Sequence, residues 1–304
     1  MGMAQGIIWK VIGKLINKGE NIDMLLQIAE LLIDISPDYP HTRWTVKPFL
    51  TRFRGKADLS VSFEGCDSIV QQDGKPLTNG DIRWICNESE DIAFSVYVNR
   101  EKSDEVLYRL DVNSKWDQAC IYFLNRYMDT MHPFKGYLGS VLFRNALLFH
   151  YGILIHASAV EYKGRGILFT APSGTGKSTQ ARLWKNMKKA KILNDDSPAL
   201  KIKSGKTFIF GTPWGGKSDI FMNRHAPLSA IFILEQASEN SLRRIDGSEA
   251  VVMLMPRFFL PYFSENLMQL AVGIIDEIIK STPVYHFRCR PDREAVEMVN
   301  QCIR

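Results

Sequence analysis

The chain has 304 residues, of which 45% are hydrophobic and 23% charged, a composition typical of a globular protein with one large or two modest domains. Its net charge of +5 is mild and its basic residues are dispersed, so we expect no nucleic-acid partner. No apolar run approaches the length of a membrane span. The five cysteines have no C-x-x-C spacing, which argues against a disulfide framework or zinc site and predicts a cytoplasmic protein.

The first 36 residues carry two apolar stripes at helical spacing, one over residues 7–16 and one over residues 22–33. They predict two amphipathic helices that end before Pro37 and pack against the rest of the protein or a partner. A membrane-surface helix is the less favoured alternative, because the polar face of the second stripe is acidic rather than basic.

After this segment the apolar period changes to two, which predicts a small antiparallel β module with a turn at Asp73-Gly74. Helices are expected at residues 116–131 and 133–150. The predicted domains are an N-terminal helical segment (1–36), the small β module (37–115) and a larger C-terminal domain (116–304).

The C-terminal domain is predicted to contain strands that are continuous apolar runs, which suits strands buried on both faces of a sheet. These strands are Ile153–Ile155, Gly166–Thr170, Ala190–Leu193, Phe208–Phe210 and Ala230–Leu234. A helix is predicted at 264–281, then a strand from Val284, then a helix at 292–302. The mixture of strands and helices predicts an α/β (α+β) fold.

One stretch of this domain, residues 166–184, has the pattern of a strand, a Gly-rich loop and a helix. Its loop, Ala-Pro-Ser-Gly-Thr-Gly-Lys-Ser, fits the Walker A phosphate-binding pattern except that Ala171 replaces the first Gly. Glycines let successive backbone N–H groups point into one hollow, and the helix N-terminus adds partial positive charge. Lys177 could then reach the β- and γ-phosphates of ATP, while the Ser178 hydroxyl could hold Mg²⁺. The predicted nucleotide-binding residues are Ser173, Gly174, Thr175, Gly176, Lys177, Ser178 and Thr179.

A second segment, Gly-Thr-Pro-Trp-Gly-Gly-Lys-Ser at residues 211–218, also fits the pattern. It follows a strand, but Pro227 leaves room for only a short helix after it. We therefore predict that the loop at residues 171–178 is the nucleotide site. The second segment is either a turn or a substrate-side loop whose Lys217 also contacts phosphate.

Two further features could carry chemistry. Asn194-Asp195-Asp196 follows a short apolar strand, and acidic side chains beside a P-loop could hold Mg²⁺ or accept a hydroxyl proton. A simple turn is the alternative, since Asn-Asp-Asp-Ser-Pro is strong turn chemistry. His156 is on the strand before the P-loop strand, and a single His in such a position is usually structural.

The order of these motifs resembles that of HPr kinase/phosphorylase, the bacterial protein-serine kinase. His156, the loop at 171–178, the Asp pair and a Gly-rich segment before Pro227 occur in the same sequence order. The motifs His-Ala-Ser-Ala-Val, Ser-Gly-Thr-Gly-Lys-Ser-Thr and Asn-Asp-Asp look most similar to those of HPr-kinase-like peptide kinases of ribosomal peptide biosynthesis, such as lasso-peptide kinases. The resemblance covers about residues 150–236 and, faintly, the segment from Cys289.

This resemblance implies a P-loop kinase core of the HPr kinase/PEP carboxykinase-like type, which uses ATP and Mg²⁺. It implies transfer of the γ-phosphoryl group to a serine hydroxyl of a peptide or small protein, such as a biosynthetic precursor peptide. By the same resemblance, Asp196 is the general base, Asp195 supports it or binds Mg²⁺ together with Ser178, Lys177 binds phosphate, and His156 lies beside the pair.

The sequence departs from the HPr kinase family at two positions. It has Thr179 where the family has Glu, and the family's metal-binding Glu has no match in this sequence near Gly211. The family's catalytic arginine has three candidates, Arg243, Arg257 and Arg290. Alternatives therefore stay open: a kinase for a small-molecule hydroxyl, a nucleotide-binding regulator with weak catalysis, and a carboxykinase-like reaction. A homo-oligomer is also an open expectation.

Overall fold

The computed structural model describes residues 24–36, 46–53, 55–71, 74–77, 82–87, 92–99, 103, 105–127, 134 and 136–303. Contacts within the chain divide it into two units, Met1–Leu142 and Phe143–Arg304. The helix predicted over residues 7–16 and Asp73 of the predicted turn lie outside the described residues. The three predicted domain ranges stay a prediction.

The first unit contains a mixed β-sheet. Its strands in the described ranges are β1 (Met24–Ile28), β2 (Leu31–Ser36), β3 (Leu59–Cys66), β4 (Lys75–Pro76), β5 (Ile82–Cys86), β6 (Phe94–Asn99), β7 (Val106–Val112) and β8 (Gln118–Leu124). Their order across the sheet is β1-β2-β3-β8-β7-β6-β5-β4. Strand β3 runs parallel to both β2 and β8, while the other neighbours are antiparallel. Inside the predicted module of residues 37–115, the neighbouring strands β4 to β7 are antiparallel, as predicted. The sheet as a whole is mixed, because β3 pairs in parallel with two strands outside that range.

Two predicted helices in this unit are wrong. Of the helix predicted at 22–33, the described residues 24–33 contribute to β1 and β2 instead, which are joined by a tight turn in which Ala29 and Glu30 have φ of +47° and +66°. Such turns usually contain Asn-Gly or Gly-Gly. The Ala-Glu pair lies in an almost continuously apolar run and therefore did not indicate a turn. Of the helix predicted at 116–131, the described residues 116–127 contribute β8 and the 3₁₀ turn Asn125–Tyr127 instead.

The remaining elements follow in chain order, and α1 crosses the boundary between the units. They are α1 (Tyr137–Ala146), β9 (Gly152–Leu154), β10 (Ala157–Tyr162), β11 (Arg165–Thr170), α2 (Lys177–Lys188), β12 (Lys191–Asn194), β13 (Ala199–Lys203), β14 (Lys206–Phe210), β15 (His225–Gln236), β16 (Ser241–Ile245), α3 (Gly247–Leu254), α4 (Glu265–Ser281), β17 (Val284–Cys289) and α5 (Arg293–Cys302). The predicted strands and the two C-terminal helices are confirmed to within a few residues. Of the helix predicted at 133–150, the described part forms α1 and the 3₁₀ turn Leu147–His150.

The second sheet positions the Gly-rich loop. Its order is β12-β10-β11-β15-β14-β13-β9, with β17 beside β15 and β16 beside β17. Because β11, β15 and β17 are parallel to one another, their carboxyl ends meet at one edge of the sheet, where the loop before α2 begins. Phe169, Trp184, Phe232 and Phe287 are buried in the core that joins this sheet to α2 and α5.

The whole described part of the chain is thus a mixed α/β structure with two sheets. Across the described ranges, every helix is too short or too polar to cross a membrane.

Candidate active site

The loop at residues 171–176 connects β11 to α2, so the predicted strand–loop–helix arrangement is confirmed. Gly176 is the N-cap of α2 with φ of +116°, and Gly174 has φ of +81°. L side chains rarely adopt these angles, which explains the glycines. The first N–H groups of a helix have no partner within it, so the loop and the helix N-terminus form a potential anion-binding surface.

Lys177 is the first residue of α2, and its side chain is buried against the loop. Its Nζ donates to the carbonyl oxygens of Ala171 at 3.0 Å and Pro172 at 3.2 Å. Burial lowers the pKa of Lys177, the negative charge of Asp196 raises it, and the positive charge of Arg257 lowers it. Both side chains therefore lie within electrostatic reach of the loop lysine. Ser178, the predicted Mg²⁺ ligand, follows in the same turn and is half-buried.

Asp196 lies beside His156, as predicted. Asp196 Oδ1 is 3.4 Å from His156 Nδ1, and Asp196 Oδ2 accepts a hydrogen bond from the Ser197 hydroxyl at 2.9 Å. The interaction with His156 is the main reason that the pKa of Asp196 is lowered, although burial opposes it. Asp196 is therefore an ionised carboxylate at neutral pH, close to a buried lysine.

Asp195 has a different environment. Its side chain is buried, and burial raises its pKa, while a hydrogen bond from the Ser218 hydroxyl to Oδ2 lowers it. Asp195 Oδ1 is buried and accepts no hydrogen bond from the described residues. A buried carboxylate oxygen without a donor is unfavourable, but it is a suitable ligand for a hard cation.

The residues present fit a Mg²⁺ ion that is bound partly by the phosphates of a nucleotide. They do not fit a metal ion that is bound by protein side chains alone. Within the described ranges, no three His, Cys, Asp or Glu side chains cluster so that they could hold a metal ion. Mg²⁺ in nucleotide sites is usually held by one or two protein groups together with phosphate oxygens and water. Asp195 Oδ1 and the Ser178 hydroxyl are of the kind required.

Asn194 joins the Asp pair to the second segment with the Walker pattern, residues 211–218, which we call the second loop. Its side chain is fully buried, and its Oδ1 accepts hydrogen bonds from the backbone amides of Asp196 at 2.8 Å and Ser197 at 2.7 Å. Its Nδ2 donates to the carbonyl oxygens of Thr212 at 2.9 Å and Trp214 at 3.1 Å. The Asp pair is thus on a turn, which was the alternative to a functional role in the sequence analysis. This acidic turn is nevertheless held close to Lys177.

The second G-x-x-x-x-G-K-S segment packs against this turn. Its last three residues, Gly216–Ser218, form only a 3₁₀ turn, so it has no α-helix to support phosphate binding. A Cβ added at Gly216 would lie 2.8 Å from Cγ of Asp196, and one at Gly211 would lie 1.9 Å from the carbonyl oxygen of Met222. Lys217 is exposed. Gly216 therefore allows the close approach of this loop to the acidic turn of residues 194–197, and Gly211 allows the close approach of the Met222 backbone.

Of the three candidate arginines, Arg257 lies within electrostatic reach of Lys177, whereas Arg290 lines a pocket on the other side of the Gly-rich loop from the Asp pair. Arg243 forms an ion pair with Glu249, whereas Arg290 bonds to Asp292 and Glu294. Arg257 ends the 3₁₀ turn Met255–Arg257, and its carbonyl oxygen accepts a hydrogen bond from the His156 amide at 2.8 Å.

Sequence reasoning could not choose Arg257, because no motif surrounds it. It also missed the roles of Asn194 and Ser218. The available signals were that Asn194 adjoins the Asp pair and that Ser218 ends the second loop pattern.

The second unit is therefore a mixed α/β structure with a Walker-type loop, a buried lysine and an acidic turn at one sheet edge. A family model described as SynChlorMet cassette protein ScmC matches residues 137–289, half of the chain, and the chain belongs to this family. The match includes all of the site residues described above.

Among solved structures, the HPr(Ser) kinase/phosphatase from Coxiella burnetii is similar to this chain, with 12% sequence identity and a TM-score of 0.28. The similarity covers 49% of this chain and 93% of that chain. No protein with a curated description matches the chain.

Proposed function

We propose that this protein is an ATP-dependent kinase that phosphorylates a serine hydroxyl of a peptide or small protein. The observation that carries the proposal is the position of Asp196, whose carboxylate lies 3.4 Å from His156 and whose charge acts on Lys177 at a Gly-rich helix N-terminus. Arg257, whose carbonyl oxygen accepts a hydrogen bond from the His156 amide, adds a second positive charge that acts on Lys177. Two cations and a row of backbone amides suit a triphosphate, and an ionised carboxylate next to them suits an attacking hydroxyl.

In the proposed reaction, Lys177 and the amides of residues 173–179 bind the β- and γ-phosphates. The serine Oγ forms a bond to the γ-phosphorus while the bond from that phosphorus to the β,γ-bridging oxygen breaks, and ADP leaves. Asp196 orients the hydroxyl and accepts its proton, and His156 holds the carboxylate in position. Arg257 stabilises negative charge on the phosphoryl group as it transfers.

Ser178 and Asp195 would hold Mg²⁺, which when bound neutralises phosphate charge. The undonated Oδ1 of Asp195 supports this assignment. The hydrogen bond from Ser218 would keep the other oxygen of the same carboxylate in a fixed direction.

The exposure of the reacting residues supports a peptide or protein acceptor over a small molecule. The side chains of His156 and Asp196 are each 35% exposed, although both lie beside buried groups. A carboxylate accessible from solvent can meet a serine on a polypeptide, whereas a small-molecule kinase usually encloses its acceptor. A precursor peptide of ribosomal peptide biosynthesis is the acceptor that the sequence resemblance suggests.

The proposal is tested by incubating the full chain with Mg-ATP and an arrayed library of serine-containing peptides. Phosphoserine detected by mass spectrometry, and lost with Asp196→Asn, is the expected result. Tight binding of Mg-ATP with no phosphorylated peptide would contradict the kinase proposal and favour a nucleotide-binding regulator. Peptides with serine replaced by alanine serve as the acceptor control.

A further inference from the structure

A pocket of about 340 Å³ opens beside the Gly-rich loop. One wall is the loop and the first turn of α2, including Gly176 and Thr179. The other walls are the residues that end β15 and those that follow β17. Among the described residues that line it, none belongs to the Asp pair, so it is separate from the phosphoryl-transfer position.

Gln180 is the unusual residue of this pocket. Its side chain is only 2% exposed, and its Oε1 is buried and accepts no hydrogen bond from the described residues. Its Nε2 donates to Cys289 Sγ at 3.5 Å. Burial raises the pKa of the Cys289 thiol to about 11, so the thiol is neutral at pH 7 and brings no charge into the pocket. An unpartnered amide oxygen in such surroundings is costly unless a ligand donates to it.

The remaining lining combines apolar surface, which suits a flat ligand, with one cationic side chain. Arg290 lines the pocket, and its guanidinium group is paired with Asp292 and Glu294. Leu234 is buried and Ala237 is half-buried, and they provide apolar surface at the end of β15. Gln236 donates from Nε2 to the carbonyl oxygens of Gly174 and Thr175, each at 3.4 Å, and so connects this wall to the loop. Ligand pockets commonly combine apolar walls with a few oriented polar groups in this way.

The direction of a bound nucleotide follows from the two ends of the site. In the proposed reaction the γ-phosphoryl group faces Asp196, which does not line the pocket. The nucleoside is at the opposite end of the nucleotide, so it extends away from Asp196. The pocket beside Thr179 and Gln180 adjoins the loop and is available for it. Its volume of about 340 Å³ is adequate for a nucleoside.

We propose that this pocket is the nucleobase subsite and that Gln180 selects adenine. This inference rests on the proposed function, since it assigns the base of the nucleotide whose phosphates bind the loop. The exocyclic amino group of adenine would donate to the undonated Oε1. Guanine carries an oxygen acceptor at the same ring position, so two acceptors would face each other.

The test is calorimetry on the full chain with three probes, namely Mg-ATP, Mg-GTP and Mg-tripolyphosphate. Tripolyphosphate measures the loop alone, and the two nucleotides add the base. The wild type is expected to bind ATP roughly tenfold or more tightly than GTP. Gln180→Leu is expected to weaken ATP roughly tenfold and to leave tripolyphosphate within about twofold, because only the base contact is lost.

A second variant guards against misfolding of a buried substitution. Ala237→Phe fills the pocket from a half-buried position, so it should weaken ATP and spare tripolyphosphate. Glu239→Phe is the matched control, because Glu239 is exposed, two residues further along, and does not line the pocket. It should leave both affinities unchanged.

The possible failures are distinguishable. Equal affinity for ATP and GTP, or unchanged ATP binding in Ala237→Phe, overturns the assignment of the pocket while leaving the loop as a phosphate site. If the wild type binds neither tripolyphosphate nor ATP, the proposed function fails, and the base subsite fails with it.

Discussion

The protein contains two loops with nearly the same sequence pattern and different structures. The loop at 171–178 leads into the 12-residue helix α2, with Gly176 as N-cap. The loop at 211–218 ends in a 3₁₀ turn of three residues, Gly216–Ser218. Only the first therefore has the aligned backbone dipoles and free N–H groups that favour an anion.

The second loop, which fits the pattern better, is fixed to the acidic turn instead. Asn194 donates to two of its carbonyl groups, Ser218 donates to Asp195, and Gly216 leaves space for Asp196. The pattern therefore identifies a loop whose glycines let another group come close to its backbone. Whether that group is an anion or another part of the protein depends on whether an α-helix follows the loop. Substitutions in and around the two loops can break or sharpen this distinction.

The largest expected effect is that of Asp196→Asn, on the acidic turn against which the second loop packs. The amide cannot accept the serine proton, so kcat for peptide phosphorylation should fall roughly 10²–10⁴-fold, with Mg-ATP affinity changed only a few-fold. Steady-state kinetics and calorimetry measure the two quantities. Asp276→Asn, which removes an exposed carboxylate on α4 that pairs with Lys280, is the control. An active Asp196→Asn variant would contradict the assigned role.

The lysines of the two loops give the next largest difference. Lys177→Ala should lower the rate of phosphoryl transfer roughly 10²–10³-fold, because a charge-stabilising donor to the phosphates is lost. Lys217→Ala should change it less than about twofold, since that side chain is exposed and its loop has no helix. The two variants should also differ in Mg-ATP affinity measured by calorimetry, with binding weakened in Lys177→Ala and unchanged in Lys217→Ala. Loss of binding in Lys217→Ala alone would reverse the comparison.

A smaller effect is expected for Gly216→Ala, with Gly205→Ala as the matched control. Both glycines have positive φ, +61° and +71°, so each alanine should lower the free energy of unfolding by about 1–2 kcal/mol. Only the Cβ at 216 would meet Asp196, since that at 205 has no atom within 4 Å. Activity should therefore fall roughly tenfold in Gly216→Ala alone. Equal activity in the two variants would show that the approach to Asp196 is unimportant.

The smallest effect is a shift in pH dependence for Ser218→Ala. Burial raises the pKa of Asp195 and the Ser218 hydrogen bond holds it down, so removing the hydroxyl should raise the pKa further. Activity that requires ionised Asp195 is lost as the pH falls through this pKa, so the acid limb of the profile should move to higher pH. Ser218→Thr, which keeps a hydroxyl, should behave as wild type. An acid limb that does not move would argue against a role for Asp195.

The sequence predicted the central part of the site because its signals are local. A strand, a Gly-rich loop and a helix are adjacent in the chain, and the acidic turn has its own Asn-Asp-Asp signature. These features fixed Lys177, Asp195 and Asp196 as candidates, and the structure brings Asp196 to Lys177.

The remainder depends on contacts between distant residues, which no local pattern encodes. Arg257 reaches the site because its turn hydrogen-bonds to His156 across a long sequence separation. In the first unit, residues 22–33 are apolar at both helical and strand spacing, so only strand pairing decides their conformation. That pairing includes the parallel contact of β2 with β3, which the expectation of an antiparallel module could not include.

The parallel pairing of β11 with β15 affects the order in which the site can assemble. A parallel pair needs a crossover, and here the crossover contains α2, the acidic turn and the second loop. During synthesis the Gly-rich loop leaves the ribosome well before β15 and Arg257. A nascent chain would thus carry the loop without its arginine, and competence to bind nucleotide would arise late. In refolding experiments, nucleotide binding should appear only after this long-range closure.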